Sequence, residues 1–408
     1  MKVYRHKSGE MYKAGWVSPP PASYGGVDHI NDERFKELRE SGINLIHIIT
    51  ELEDLSVTRR IVECARKNDV EVVLPLADLL RGDFNKEKMM PVLEELQKGW
   101  ENVVGINLFD EPGKHYFNKI KEVADFIRPY IGDRMIYVNH MPMYATMSQL
   151  VNGWWSPYEA EAETIGYREF LNEFYQTVDV EVISYDFYPF RYEKGFSDPR
   201  YFEQLCVAKS LSNQYDKPVW NFTQVTSWNR DAVRNMTYAE MAWLNHTSIA
   251  CGVTGIQYFC YWTPCDGVET FENAMISRDG RRTKHYYFAQ DLNKKLDALA
   301  PYILDAKHCG TIAYGNTIVP FPRESALRTF GNLDRILSDG MLIGCFEKDG
   351  KYMYYAVNTS VFETKVLEFT FKQSIKAELL IGTQKSAFEG AELKLPVGPG
   401  EGVLIAEF

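Results

Sequence analysis

Two adjacent carboxylates close a short apolar run in the first third of the chain. The run Gly105–Phe109 leads directly into Asp110, Glu111 and Pro112. An apolar run of this length between two helix-like segments predicts a buried parallel strand, and Pro112 cannot continue its hydrogen-bond ladder. The acids therefore stand where the strand ends, which is where barrels of parallel strands carry their chemistry. Glu111 is the first candidate for a catalytic acid.

Polar and aromatic residues follow the other predicted strands at the corresponding place. The set at the strand ends comprises Trp16, Thr50, Glu51, Asp78, Asp110, Glu111, Asn139, His140, Tyr185, Asp186, Gln224, Tyr261 and Trp262. Carboxylates and amides bind hydroxyl groups, and flat rings stack on the apolar faces of sugars, so this combination is typical of a carbohydrate site. The sequence has no zinc-ligand spacing, no G-x-S-x-G elbow and no Walker loop, so we expect no metal and no cofactor.

The leading acids each have a structural alternative. Glu111 could cap the helix that follows it, and Asp186, flanked by two aromatic residues, could be a satisfied core group. Asp110 is expected to fix a neighbouring Arg or a substrate hydroxyl rather than to transfer a proton. If Glu111 is the general acid, burial near Phe109 or a nearby carboxylate should raise its pKa and keep it protonated.

Eight apolar strands alternate with eight helical segments before residue 310. The strands are predicted at 12–17, 44–49, 70–76, 105–110, 134–139, 180–186, 218–223 and 255–260. The helices are predicted at 32–40, 57–68, 86–98, 115–129, 165–175, 198–215, 238–251 and 284–305. This order predicts an α/β fold, the (β/α)8 TIM barrel, in which the carboxyl ends of all strands open on one face. A doubly wound open sheet is the alternative, but no Gly-rich phosphate loop follows the first strand.

The pattern changes near residue 310. Short alternating runs separated by turn signals follow, at 341–346, 352–357, 366–371, 377–381 and 402–408. Runs of this kind predict a C-terminal antiparallel β-sandwich. We therefore predict two domains, a catalytic barrel of residues 1–309 and a β-sandwich of residues 310–408, the second without a catalytic constellation.

The composition argues against several classes of partner. A net charge of −11 disfavours nucleic acid and anionic membrane surfaces, and no window of ~18 apolar residues could span a bilayer. Seven irregularly spaced cysteines favour reduced thiols over a disulfide framework. No secretory signal is visible, so we expect a cytoplasmic location; a secreted or periplasmic one would require a signal peptide removed before this amino terminus. The sequence leaves the oligomeric state open and is compatible with a homo-oligomer.

The residue pattern resembles the clan A (β/α)8-barrel glycoside hydrolases. A strand four that ends in an acid before Glu-Pro, as in Asp110-Glu111-Pro112, is similar to the Asn-Glu-Pro or Asp-Glu-Pro signature of that clan. Trp262 after strand eight is similar to its sugar platform, and segments 185–190 and 255–264 resemble uncharacterised bacterial members. The barrel-plus-sandwich layout loosely resembles family 42 β-galactosidases. This resemblance implies glycoside hydrolysis with Glu111 as the proton donor.

One position departs from the clan pattern. The clan places its nucleophilic Glu at the end of strand seven, where this chain has Gln224. A neutral amide is a poor nucleophile and cannot balance an oxocarbenium charge, so the standard retaining mechanism is in doubt. Three alternatives stay open: Asp186 supplies the second carboxylate from strand six, a loop acid such as Glu269 or Glu272 swings in, or the site binds sugar without cleaving it.

We expect a glycoside hydrolase that acts on a β-linked glycoside or oligosaccharide, with Glu111 and Asp186 as the catalytic pair. Strands four and six lie roughly 10 Å apart, so these carboxyls are expected within the ~6.5–9.5 Å gap that admits a water. The alternative is a non-catalytic carbohydrate-binding relative that has lost the strand-seven nucleophile. The aromatic loop with Trp154 and Trp155 is predicted to form the pocket rim. The predicted substrate-binding residues are Trp16, Asp110, Asn139, His140, Tyr185, Gln224 and Trp262.

Overall fold

Eight parallel strands close into a barrel. The structure, a computed structural model, describes residues 2–48, 55–76, 86–153, 165–191, 198–229, 233–265, 267 and 269–408. The barrel strands are β1 (Tyr12–Trp16), β2 (Leu45–His47), β3 (Glu71–Pro75), β4 (Val103–Asp110), β5 (Met135–His140), β6 (Ile183–Tyr185), β7 (Val219–Gln224) and, after the short β8 (Ser227–Trp228), β9 (Gly255–Phe259). Strand β1 pairs in parallel with both β2 and β9, which closes the ring. The barrel prediction is confirmed, and the open-sheet alternative is wrong.

Helices follow the barrel strands and cover the outside of the ring. They are α1 (Asp32–Glu40), α2 (Leu55–Lys67), α3 (Lys86–Lys98), α4 (Phe117–Ile131), α5 (Met147–Asn152), α6 (Tyr167–Thr177), α7 (Tyr201–Tyr215), α8 (Tyr238–Ala250) and α9 (Lys284–Ile303). Local signals set several starts: the Asn31 side chain accepts a hydrogen bond from the Arg34 amide, and Thr237 forms a capping box with Glu240. Helix α5 was not predicted; it lies in the long segment after β5 and starts with its own capping box at Thr146.

An antiparallel sheet follows the barrel and forms the predicted β-sandwich. After the short β10 (Phe271–Glu272), which pairs with β8, its strands are β11 (Lys307–Tyr314), β12 (Leu333–Ile336), β13 (Met341–Lys348), β14 (Lys351–Asn358), β15 (Lys365–Ile381), β16 (Gln384–Val397) and β17 (Gly402–Glu407). The predicted runs 366–371 and 377–381 are one long strand, β15, with an irregular register between Thr370 and Ile375. The predicted division at residue 310 falls inside β11, and the two-domain division itself stays a prediction.

The sandwich packs on helix α8. Nearly all of α8 is buried, and the hydroxyl of Tyr355 lies 2.5 Å from Nδ1 of His246 on that helix. A Cβ at Gly344 of β13 would come within 2.6 Å of the Ala250 carbonyl oxygen, so only glycine permits this approach. The sheet therefore covers one side of the barrel, away from the open ends of its strands.

The barrel interior is apolar away from the carboxyl ends of the strands and polar near them. Its apolar layer consists of Tyr12, Ala14, Leu45, Val73, Met135, Tyr137, Val182 and Trp220. The predicted strand-end residues Thr50, Glu51 and Asp78, and the loop tryptophans Trp154 and Trp155, lie outside the described residues. In the part of the chain that the structure describes, no helix is long and apolar enough to cross a membrane.

Candidate active site

A cavity of about 640 Å³ opens at the carboxyl ends of the barrel strands. Five of the nine predicted site residues line it: Trp16, Asp110, Glu111, Asn139 and Asp186. The cavity is large enough for a sugar unit with its leaving group. It is the place where the strand topology brings the predicted acids together.

Glu111 and Asp186 are in direct contact inside this cavity. Their backbone amides both donate to carbonyls at the end of β5: Glu111 to Asn139 O at 2.9 Å and Asp186 to His140 O at 3.3 Å. The end of β5 thus holds one acid on each side of it, and the two carboxyl groups form a side-chain hydrogen bond. The predicted ~6.5–9.5 Å gap is wrong, because two carboxyl groups within hydrogen-bonding distance of each other leave no such gap.

The pair shares a proton in an environment that disfavours charge. Burial, followed by the charges of Asp186 and Asp110, raises the pKa of Glu111 well above its ordinary value. Burial and the charge of Asp110 also raise the pKa of Asp186. Their mutual hydrogen bond raises the pKa of Glu111 and lowers the pKa of Asp186. Asp186, with a pKa of about 8, is therefore the member of the pair that ionises first, and a protonated Glu111 then donates to it.

The backbone at Glu111 is strained. Its φ is +55°, in the left-handed region that non-glycine residues rarely adopt, and such strain typically costs of order 1–3 kcal/mol and clusters at functional sites. The turn continues through Gly113, where a Cβ would meet the Gly153 amide nitrogen at 2.1 Å. Gly113 therefore lets the end of α5 pack against the loop that carries Glu111.

A hydrogen-bond network supports the acids from below. Asn139 Nδ2 donates to Asp110 Oδ1 at 3.2 Å, and Ser184 Oγ donates to Asn139 Oδ1 at 3.1 Å. Gln257 Nε2 donates in turn to Ser184 Oγ at 2.9 Å. Asp110 is thus held by an amide, and its expected contact with an Arg or a substrate hydroxyl stays a prediction. Since each member is fixed by the next, the floor of the cavity is preorganised.

Aromatic rings form the facing wall. Phe259 ends β9, which lies four strands from β4 in either direction and so stands across the barrel from Glu111. Its ring lies 5.5 Å from the ring of Trp228, and the ring of Trp16 lies 5.6 Å from that of Phe222. Trp16, predicted as a stacking platform, is half-buried and lines the cavity beside these rings.

Two predicted contact residues point away from the cavity because side chains alternate along a strand. His140 is fully buried outside the barrel, 4.3 Å from the ring of Phe174, and burial lowers its pKa to about 3. Tyr185 is likewise buried in the layer between strands and helices. Their neighbours Asn139 and Asp186 take the inward positions. The prediction that His140 and Tyr185 contact substrate does not fit this placement.

Gln224 and Trp262 are also outside the cavity lining. The Gln224 side chain is buried and fully engaged: its Oε1 accepts from the Phe190 amide at 3.2 Å, and its Nε2 donates to the carbonyls of Phe190 and Arg234. Trp262 is 1% exposed, with its ring 4.5 Å from that of His29. Gln224 fixes a loop, and Trp262 packs beneath the rim, so neither is placed to hold a sugar.

Several lining residues were not predicted. They lie beyond the ends of the barrel strands, on loops, on helix α5 and on the short strands β8 and β10, and include Tyr144, Gln149, Tyr188, Arg191, Trp228, Asn229 and Phe271. Tyr188 could have been found, because it continues the inward alternation of Ser184 and Asp186. Of the two loop acids, Glu269 lines the cavity and Glu272 is not among the lining residues. Within the described ranges, no group of three or more His, Cys, Asp or Glu side chains could hold a metal ion.

One protein-family model matches part of the chain. Residues 120–299, fewer than half of the chain, match the family model for glycoside hydrolase family 42, described as beta-galactosidase. No curated protein sequence matches the chain.

Solved structures match over nearly the whole length. A beta-galactosidase from Bacillus circulans sp. alkalophilus superimposes with a TM-score of 0.66 at 9% identity, covering 99% of this chain and 100% of its own. A catalytic mutant of a GH42 beta-galactosidase from G. stearothermophilus gives 0.63 at 8% identity, covering 97% and 98%. A family 5 glycoside hydrolase from Bacteroides vulgatus gives 0.58 at 9% identity, covering 100% and 95%. At such identities the structural matches show the fold. Together with the family model, they confirm the resemblance to the clan A barrels and indicate a glycoside hydrolase.

Proposed function

We propose that the protein hydrolyses a β-linked glycoside or oligosaccharide, with Glu111 as the general acid. The observation that carries this proposal is the hydrogen-bonded pair of Glu111 and Asp186 in a cavity walled by aromatic rings. A carboxylic acid that keeps its proton at neutral pH can donate it to the glycosidic oxygen as the bond breaks. The beta-galactosidases matched above support a β-linked substrate.

Asp186 is the proposed second carboxylate. In contact with Glu111 it orients the acidic proton, and when ionised it supplies the negative charge that an oxocarbenium-like transition state requires. To activate a water molecule, Asp186 has to swing away from Glu111, because the contact leaves no room for water between them. Glu269, which also lines the cavity and adds its charge to the environment of Glu111, is the alternative base.

A carbohydrate-binding protein without catalysis is the second candidate, and Gln224 favours it. The amide at the end of β7 is buried in hydrogen bonds to backbone groups, so no carboxylate stands at that strand end. The same cavity could then hold a sugar without cleaving it.

Substitution of Glu111 tests the proposal. We expect the wild type to cleave a member of a panel of aryl β-glycosides and β-linked oligosaccharides, and E111Q to lose about 10²–10⁴-fold in kcat/KM on unactivated substrates, since the proton donor is gone. Proton NMR of the first product anomer reports the stereochemical course.

E272Q is the matched control, because Glu272 is an exposed acid outside the cavity lining, and its activity should equal that of the wild type. An E111Q enzyme as active as the wild type would disprove the acid assignment. A wild type inert on every glycoside but thermally stabilised by a sugar would establish the binding protein instead.

A further inference from the structure

Arg191 stands out among the residues that line the cavity. The lining includes four acids, Asp110, Glu111, Asp186 and Glu269, and Arg191 is the one Lys or Arg among its described members. It lies five residues after Asp186, on the segment that leaves β6, and pairs there with Val233 in an isolated β-bridge. A cation in a cavity otherwise lined by acids requires an explanation.

The guanidinium of Arg191 is held in place by neutral groups. Its Cζ lies 4.0 Å from the centre of the Tyr144 ring, a cation–π contact, and its Nε donates to the Tyr188 carbonyl at 3.2 Å. Tyr188 and Asp186 line the same cavity as Arg191 and precede it in the chain by three and five residues. The head group is thus fixed beside the candidate catalytic centre.

Two neighbouring arginines, Arg200 and Arg234, each form an ion pair with a carboxylate, as expected of a structural role. Arg200 approaches the same Tyr144 ring at 5.9 Å, but Asp198 neutralises it through bonds of 3.0 and 2.7 Å. Arg234 is paired with Glu240 at 2.5 Å. Within the described ranges no carboxylate pairs with Arg191, and no described group accepts a hydrogen bond from its two Nη atoms. Four N–H bonds of a half-buried guanidinium therefore have no described acceptor.

We propose that Arg191 binds an anionic group on the substrate, so that the glycoside carries a carboxylate, as in a hexuronic acid, or a phosphate ester. The two Nη atoms of a guanidinium present a planar fork that matches either oxyanion, and such charge-assisted bonds are stronger than those to neutral hydroxyls. A neutral sugar would leave the two Nη atoms without an anionic hydrogen-bond partner among the described residues. The inference rests on the proposed function, because it names the substrate class of the same cavity.

The test compares aryl β-glycosides of a hexuronic acid, of a 6-phosphohexose and of the neutral hexose. We expect the wild type to favour one of the two anionic substrates in kcat/KM by at least about 10-fold, and R191M to reduce that preference by about 10- to 100-fold. R191K keeps the positive charge but loses the planar pair of Nη donors. Its preference for the anionic substrate should therefore lie between those of the wild type and R191M. R200M is the matched control, since it removes a neighbouring arginine outside the cavity lining, and the preference should not change.

Binding measurements separate failure of this inference from failure of the proposed function. If the wild type cleaves neutral hexosides best, or if R191M lowers all three activities equally, Arg191 does not select an anion although the protein is a hydrolase. If the wild type cleaves nothing, calorimetry with free hexuronic acid, hexose 6-phosphate and hexose decides. Arg191-dependent binding of an anionic sugar would then support the inference in a binding protein, and equal or absent binding of all three would overturn it.

Discussion

The two ends of the barrel treat buried charge in opposite ways. At the amino-terminal end, Lys13 is fully buried and forms an ion pair with Asp297, with Glu10 at 3.9 Å. Arg39 lies 2.9 Å from Glu10 and 3.6 Å from Asp69, so cations and anions alternate through the cluster. At the mouth, by contrast, Glu111 and Asp186 are like charges in contact, and Asp110 adds a third.

The difference separates a structural cluster from a functional one. Opposite charges offset part of each other's desolvation cost, so the Lys13 cluster ties β1 to helix α9. Like charges cannot offset that cost and must instead retain a proton, which destabilises the folded protein at higher pH. Such an arrangement persists when the retained proton is used, and this supports the assignment of Glu111 as an acid.

Breaking the balanced cluster should destabilise the folded protein. K13M leaves Asp297 without its counterion, and we expect the free energy of unfolding to fall by about 2–3 kcal/mol, less than for a fully buried pair because Asp297 is 35% exposed. Urea denaturation measures the change. The double variant K13M/D297N, with both charges removed, should regain most of it. A K13M protein as stable as the wild type would mean that the cluster contributes nothing.

Breaking the like-charge pair should instead stabilise the folded protein at high pH. The folded-state pKa of Asp186 is raised to about 8, so its contribution to stability is complete below pH ~4 and is lost as the pH rises toward 8. In D186N the side chain cannot ionise, so this loss of stability with rising pH does not occur. We expect the variant to match the wild type near pH 4 and to be more stable by at least about 1.4 kcal/mol at pH 8, the value of one pKa unit. Equal stability at both pH values would contradict the shared-proton description.

Sequence periodicity was sufficient for the fold and for half of the site. The alternation of apolar runs with helical segments predicted the barrel, and Pro112 after two acids located the strand end that carries the candidate acids. Between β13 and β14, the Asp349-Gly350 dipeptide is typical of a two-residue type I′ hairpin, and both residues have the positive φ that this turn requires.

The other half of the site depends on which way each side chain faces. A list of strand ends does not distinguish inward Asn139 from outward His140, although the period of two along a strand would have done so. Contacts made by loops cannot be predicted from this alternation. Gln224 is occupied by the backbone of Phe190, and Arg191 reaches the cavity from beyond β6, so both depend on loop conformations that local pattern does not encode.

The carboxyl titration of Glu111 tests the central claim most directly. In protein labelled with ¹³C at the glutamate carboxyl carbons, the signal of Glu111 is identified by its absence from E111Q. We predict that this carboxyl is still protonated at neutral pH, and that its titration moves to lower pH in D186N, where the neighbouring charge is gone. A Glu111 signal that titrates near pH 4.5 in both proteins would contradict the account.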